Sequence, residues 1–318
     1  MRIFTGECHY GREILPEYPF GVRELVTRGI VCISRKLRPR ARTTLTAAEV
    51  QSAIAGLLSG DAPCMVSRFG TIELEATMRV AKGAFPWWSD NSIVAALNNN
   101  AGVFPPSHEM ARRFGELSLA SAKAIDLIGC YDDMPMRFVG AELPQARTCP
   151  LAALEPFRSD RPWTAALRGR KVLVVHSMTD TIVAQYARRC ELFANGDLLP
   201  EFGLQVYRSV NSAMGLPTGF TDWFAALEKM QRDIAALDFE IAILGCGAYG
   251  MPLGAFIKRE LGRKVVHLGG MTQLLFGIRG RRWEGIPEYD GLMNGAWVRP
   301  LASDTPSAIA RIEGGCYW

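Results

Sequence analysis

The stretch Asp238–Trp283, DFEIAILGCGAYGMPLGAFIKRELGRKVVHLGGMTQLLFGIRGRRW, decides the fold. An apolar run, Ile241-Ala242-Ile243-Leu244, enters a turn carrying Gly245, Gly247 and Gly250. A helix-like segment follows, and a second apolar run, Val265-Val266-His267-Leu268, ends at Gly269-Gly270. Short apolar runs bounded by glycines read as buried strands, so the order is strand, glycine turn, helix, strand. Such a unit closes a right-handed crossover in a parallel sheet, and ligands of these sheets lie outside the carboxyl ends of the strands. Both glycine turns fall there. Bare amides at a helix start attract phosphate, which makes a nucleotide-linked ligand the leading expectation.

The turn GCGAYG spells G-x-G-x-x-G, the fingerprint of dinucleotide folds, but the rest of that fingerprint is missing. An acid about 20 residues on should hold the ribose hydroxyls, and residues 261–278 contain none. The turn also comes late, with 68 residues after Gly250, whereas the fingerprint opens a multi-strand domain. Neither NAD nor FAD is expected. The alternative is that the glycines serve only the backbone.

Outside this stretch, Thr46–Leu58 reads as a helix capped by Thr46 or Thr44, and Cys64–Ser67 as the first strand. Residues 83–106 read as a shaped loop with a short helix inside and Trp87-Trp88 as a candidate stacking pair or lid. Met110–Lys123 reads as a helix and Ile125–Cys130 as a strand; the adjacent acids Asp132-Asp133 read as a solvated turn. Residues 140–170, with four prolines, read as a connection between two halves. Lys171–His176 is a buried parallel-type strand, followed by a helix over 181–193 capped by Ser177 or Thr179. His176 and His267 thus stand at two strand ends, each readable as a general base, a sugar-hydroxyl partner or a satisfied structural group.

The chain has 318 residues, 48% hydrophobic and 21% charged, enough for a substantial core. No apolar run approaches the length of a bilayer span, and residues 1–20 lack a signal-peptide core. The eight cysteines lie singly, with no C-x-x-C, so neither zinc nor a disulfide framework is expected and a cytoplasmic setting is the default. Residues 21–42 carry seven basic residues against one acid, interleaved with apolar ones. They read as an amphipathic extension, either packing on the main domain or lying on an anionic membrane face. No nucleic-acid motif accompanies them.

The run LGCGAYG…VVHLGGMTQLLFGIRGRRW, with HSMTDTIVAQY before it and WVRP and EGGCYW after it, resembles a group of bacterial proteins with a GT-D-like domain, associated with surface-polysaccharide synthesis. The likeness runs from about Cys64 to Trp318. It implies a Rossmann-like, doubly wound, mostly parallel α/β domain over 46–318 behind an N-terminal helical extension, 1–45. It also implies a glycosyltransferase using a nucleotide-sugar donor and a glycan or lipid-linked glycan acceptor; a non-catalytic nucleotide-sugar-binding or scaffold protein is the alternative. The family's early R-F-G-D-x-E-like element matches Arg68-Phe69-Gly70-Thr71-Ile72-Glu73, with Thr71 where the first acid stands. Glu73 is then the catalytic acid and the one ligand for Mn²⁺ or Mg²⁺, and the missing Asp leaves metal dependence undecided. The resemblance extends the donor site to Arg68, Gly70, Thr71, Tyr249, His267 and Gln273, beside Gly245, Gly247, Gly250, Gly269 and Gly270, with His176 as a second catalytic candidate. Arg279, Arg281 and Arg282 follow the short helix-like segment 272–276. Guanidinium groups bind phosphate bidentately, so Arg279 and Arg282 read as partners of a diphosphate leaving group, with a solvated surface turn as the alternative.

Overall fold

The computed structural model describes residues 45–83, 91–306 and 315–318. The basic segment 21–42 and the Trp87-Trp88 pair lie outside the described residues. Seven strands form one sheet: β1 Met65–Arg68, β2 Leu127–Cys130, β3 Arg147–Pro150, β4 Lys171–His176, β5 Gly203–Arg208, β6 Ile241–Gly245 and β7 Lys264–His267. Their spatial order is β3-β2-β1-β7-β6-β4-β5, and every pairing is parallel. The fold is α/β and Rossmann-like. Strands from both sides of 140–170 share this sheet, and that stretch itself supplies β3.

Ten α-helices occur among the described residues: α1 Ala47–Ser59, α2 Thr71–Ala81, α3 Asn91–Asn99, α4 His108–Ala122, α5 Met136–Glu142, α6 Thr179–Ala187, α7 Trp223–Ala235, α8 Gly250–Arg259, α9 Met271–Leu275 and α10 Pro287–Asp290. No described helix is long and apolar enough to cross a membrane. Parallel strands buried on both faces need helices on both faces. Leu74 of α2, Phe114 of α4, Trp223 of α7 and Leu253 of α8 pack on one side of the sheet. Ile54 of α1, Trp163, Ile182 of α6 and Leu274 of α9 pack on the other. Successive residues of a strand point to opposite faces, and β6 divides accordingly, with Ala242 and Leu244 in one core and Ile241 and Ile243 in the other.

Local sequence sets the helix ends. Thr46 starts α1 with a full capping box: its hydroxyl accepts from Glu49 N–H at 3.3 Å and Glu49 Oε2 accepts from Thr46 N–H at 2.6 Å. Helix α6 begins two residues earlier and ends earlier than its sequence suggested, and neither Ser177 nor Thr179 caps it. Its cap comes from far along the chain. Asp304 Oδ2 accepts from Thr181 N–H and Oγ1–H at 2.7 and 2.6 Å, while Arg208 Nη1 donates to Oδ1 at 2.7 Å. A buried carboxylate at a helix start is favoured by the dipole and by these three donors.

The GCGAYG turn is a packing device at two of its glycines. His176 stands in register with Gly245, and a Cβ there would fall 2.5 Å from the His176 ring. At Gly250 a Cβ would fall 2.3 Å from His267 Nε2, and both histidines are buried. Gly254, later in α8, faces only the flexible end of Met65, at 2.8 Å. Gly250→Ala should therefore destabilise the protein by roughly 2 kcal/mol, as overpacking does. Gly254→Ala should be near neutral, because removing a helical glycine contributes about 1 kcal/mol in compensation. Urea denaturation of the two variants checks this; equal losses would contradict it.

Candidate functional site

Strands β1 and β7 are neighbours, yet the chain leaves them on opposite faces: α2 after β1 packs on one side and α9 after β7 on the other. The carboxyl ends between such strands are where ligands bind in open α/β sheets. A narrow cleft of about 10 Å³ opens there, between walls that include Arg68, Gly70 and Glu73 from the β1 end, Gly247 and Met251 after β6, and His267. That is smaller than the ~300 Å³ at which pockets for whole small molecules begin. The enclosed room is about that of one water molecule, so a larger ligand would lie across the mouth of the cleft.

Arg68 is the centre of this cleft. Its Nε donates to the Phe69 carbonyl at 3.1 Å and its Nη2 to the Tyr131 hydroxyl, which in turn donates to the same carbonyl at 2.6 Å. The guanidinium also lies 5.3 Å from the centroid of the Tyr131 ring. Burial pushes the Tyr131 phenol upward while the Arg68 charge pulls it back, so the phenol stays protonated and keeps its donor. Among the described residues Arg68 forms no ion pair, although it is half-buried. A partly desolvated guanidinium that makes no ion pair among the described residues favours an anionic ligand.

Glu73 folds back over the start of α2. A Cβ on Gly70 would meet its carboxylate at 1.9 Å, so only glycine lets the side chain lie there. The carboxylate thus sits on the positive end of the helix, and Glu73 lines the cleft together with Arg68. Gly247 adopts φ +56 with open space where a Cβ would be, which leaves its backbone approachable by a ligand. Thr71, the first residue of α2, is exposed.

The second glycine pair joins two arginines. Gly269, at φ +63, lies 3.7 Å from Arg68, measured from the position of a Cβ; Gly270 lies 2.7 Å from the Tyr317 ring in the same sense. Tyr317 receives a hydrogen bond from Arg282 Nη1 at 3.1 Å, and Gln273 Nε2 donates to its carbonyl at 3.0 Å. Arg68, Gly70, Glu73, Gly247, His267, Gly269, Gly270, Gln273 and Arg282 therefore gather around the β1/β7 ends.

Five other predicted residues lie elsewhere. Tyr249 is buried, stacked on Trp223 with ring centroids 4.7 Å apart, and its hydroxyl meets Ser212 at 3.1 Å. Gly245 and Gly250 face histidines. Arg279 donates to the Asn294 carbonyl at 2.8 Å. His176 lies beyond β6 from His267, so the two histidines do not face one cleft. The His176 Nδ1 accepts from Met178 N–H at 3.0 Å, which puts the proton of the neutral ring on Nε2. Tyr131, Tyr317 and Ser67, whose hydroxyl meets His267 Nδ1 at 3.1 Å, have no local sequence signal. Their partners are 35 to 200 residues away.

Hard divalent cations take several oxygen ligands, whereas Glu73 is the one carboxylate lining the cleft and no group of three His, Cys, Asp or Glu capable of holding a metal occurs among the described residues. The described residues alone do not supply the ligand set of a resident divalent-metal site. Comparison of the chain with protein-family models, curated proteins and solved structures finds no match in any of the three.

Burial lowers both histidines, His176 to about 4 and His267 to about 3, the latter helped by the nearby Arg68 charge. Both are neutral at pH 7. Each takes up its proton near 6.5 in the unfolded chain and only well below that when folded, so the unfolded state binds more protons in between. Their contribution is intact above about pH 6.5 and declines as pH falls towards 4. The urea midpoint should drop over that window. His176→Asn, whose Oδ1 can take the Met178 N–H without titrating, should flatten the dependence; an unchanged slope would contradict the assignment.

Proposed function

We propose that the chain is a glycosyltransferase with a GT-D-like domain, moving a sugar from a nucleotide-sugar donor to a bacterial surface glycan or lipid-linked acceptor. The observation that carries this reading is Arg68, a half-buried guanidinium without an ion pair among the described residues, set at the sheet crevice beside the Glu73 carboxylate and the open Gly247 turn. The resemblance of the Arg68–Glu73 element and of the later glycine segments supplies the reaction.

In this reading the donor diphosphate lies along the Gly269-Gly270 turn, between Arg68 and Arg282. The acceptor hydroxyl oxygen bonds to the anomeric carbon as the carbon–oxygen bond to the diphosphate breaks. The hydroxyl proton passes to Glu73, and the bonding electrons leave with the nucleoside diphosphate. The growing negative charge is met by arginines already in place, which is where preorganised charge is most effective. No step runs through a metal. His176 is too enclosed, and its Nδ1 too committed, to act as base.

A second reading, a non-catalytic nucleotide-sugar-binding or scaffold protein, is favoured by the way Glu73 serves the start of α2. Glu73→Gln keeps the shape and loses the base. Transfer, or slow hydrolysis of the donor, should fall at least 100-fold in that variant, while donor binding and thermal unfolding stay near wild type. Full activity in Glu73→Gln would remove Glu73 from the reaction, and absence of turnover in the wild type with every nucleotide sugar would favour the second reading.

A further inference from the structure

Residues 315–318 pack against the turn that follows β7, although nothing in their local pattern marks them as part of a site. The Tyr317 ring presses on Gly270, with its edge 2.7 Å from where a Cβ would be, so glycine at 270 is what admits it. Trp283 and Trp318 flank the ring edge-on, with centroids 5.8 and 6.3 Å away. The backbone is held as well. Arg282 N–H donates to the Cys316 carbonyl at 2.9 Å, and the buried Gln273 donates to that of Tyr317. Trp318 is anchored through its indole N–H to the Asp304 carbonyl at 3.1 Å and through its own carbonyl to Arg299 at 2.9 Å.

This much support fixes one phenol at the β7 side of the crevice. The phenol receives Arg282 Nη1, and the Arg282 guanidinium lies 5.6 Å from its ring centroid. The arrangement repeats what Tyr131 does for Arg68 on the β1 side, where hydroxyl and ring face both engage the guanidinium. Gly269 touches the first pair and Gly270 the second. Two arginine–tyrosine pairs thus meet across two consecutive glycines, one built from β1 and the residue after β2, the other from the segments at 282 and 317. A long arginine loses side-chain freedom on binding an anion, and a partner that holds it beforehand reduces that loss.

We infer that Tyr317 is a positioning residue of the donor site, holding Arg282 opposite Arg68 so that two linked phosphates, rather than one, are gripped from both sides. The inference rests on the donor-site reading above. Its test is a double-mutant cycle on the full chain, with inorganic pyrophosphate and inorganic phosphate as calorimetric probes. Arg282→Ala should weaken pyrophosphate binding about tenfold, the low end for one hydrogen bond to a charged group, and Tyr317→Phe about fivefold, less because the phenol acts through the guanidinium. The double variant should be no worse than Arg282→Ala alone, because the phenol contributes to anion binding through the guanidinium it holds. Phosphate binding should change less in all three. Thermal unfolding of Tyr317→Phe should match wild type, since the ring and its packing remain.

Losses that multiply in the double variant would overturn the inference, as would an unaffected Tyr317→Phe, an unaffected Arg282→Ala, or a wild-type chain that does not bind pyrophosphate. A cycle that behaves as expected in a protein that turns over no nucleotide sugar would instead overturn the glycosyltransferase reading and leave the clamp standing.

Discussion

The sheet is one sheet only because its last strand pairs with its first. Strand β7 enters between β1 and β6, and without it β1, β2 and β3 would separate from β4, β5 and β6. The β1–β7 register is short, Met65 with Val265 and Val66 with Val266, so side chains reinforce it. At one end Asp126 accepts from Met65 N–H at 2.7 Å and pairs with Lys258 of α8 at 2.7 Å. At the other end Ser67 meets His267 in the core. Both partners of the Asp126–Lys258 ion pair are partly exposed, so it reinforces the junction modestly.

The same junction creates the site. A strand inserted last leaves on the opposite face from the strand it joins, so the carboxyl ends of β1 and β7 part and a crevice forms. Arg68 stands there because it ends β1. Tyr131 reaches it because β2 is the next strand out, and Gly269-Gly270 reach it because they end β7. The fold thus brings together groups 63 and about 200 residues apart. His267 is neutral and buried beside this charge, so it shapes the cleft and leaves anion attraction to the guanidinium groups.

The sequence announced the central strands plainly and the edges poorly. Strands β4, β6 and β7 are continuous apolar runs, because both of their faces are covered. Strand β5, GLQVYR, lies at an edge with its middle residues half-exposed, so its pattern is mixed and gives no run to see. Strand β3, RTCP, hides among prolines at the other edge. Helix α7 did carry a signal: Asp222 caps it, accepting from Ala225 N–H at 2.8 Å, and Trp223, Ala226, Leu227, Met230 and Ile234 recur at helical spacing. The site was legible where a residue ends a strand, as for Arg68, Gly247, His267 and Gly269. It was illegible where a partner arrives through tertiary packing. Tyr249 shows the limit of a motif, since its place in GCGAYG suggested a ligand contact while its ring fills the core against Trp223.

In the proposed function Arg68 is a charge waiting for an anion. Calorimetric titration of the wild type and of Arg68→Ala with ADP, CDP, GDP, TDP and UDP, and with the parent nucleosides, tests this directly. A charged hydrogen bond to a partly buried phosphate is worth about 1.5–3 kcal/mol. At least one diphosphate should therefore bind the wild type and lose about tenfold or more in affinity in the variant, with its nucleoside hardly affected. Equal affinities for that diphosphate in the two proteins, or no diphosphate bound by the wild type, would contradict it.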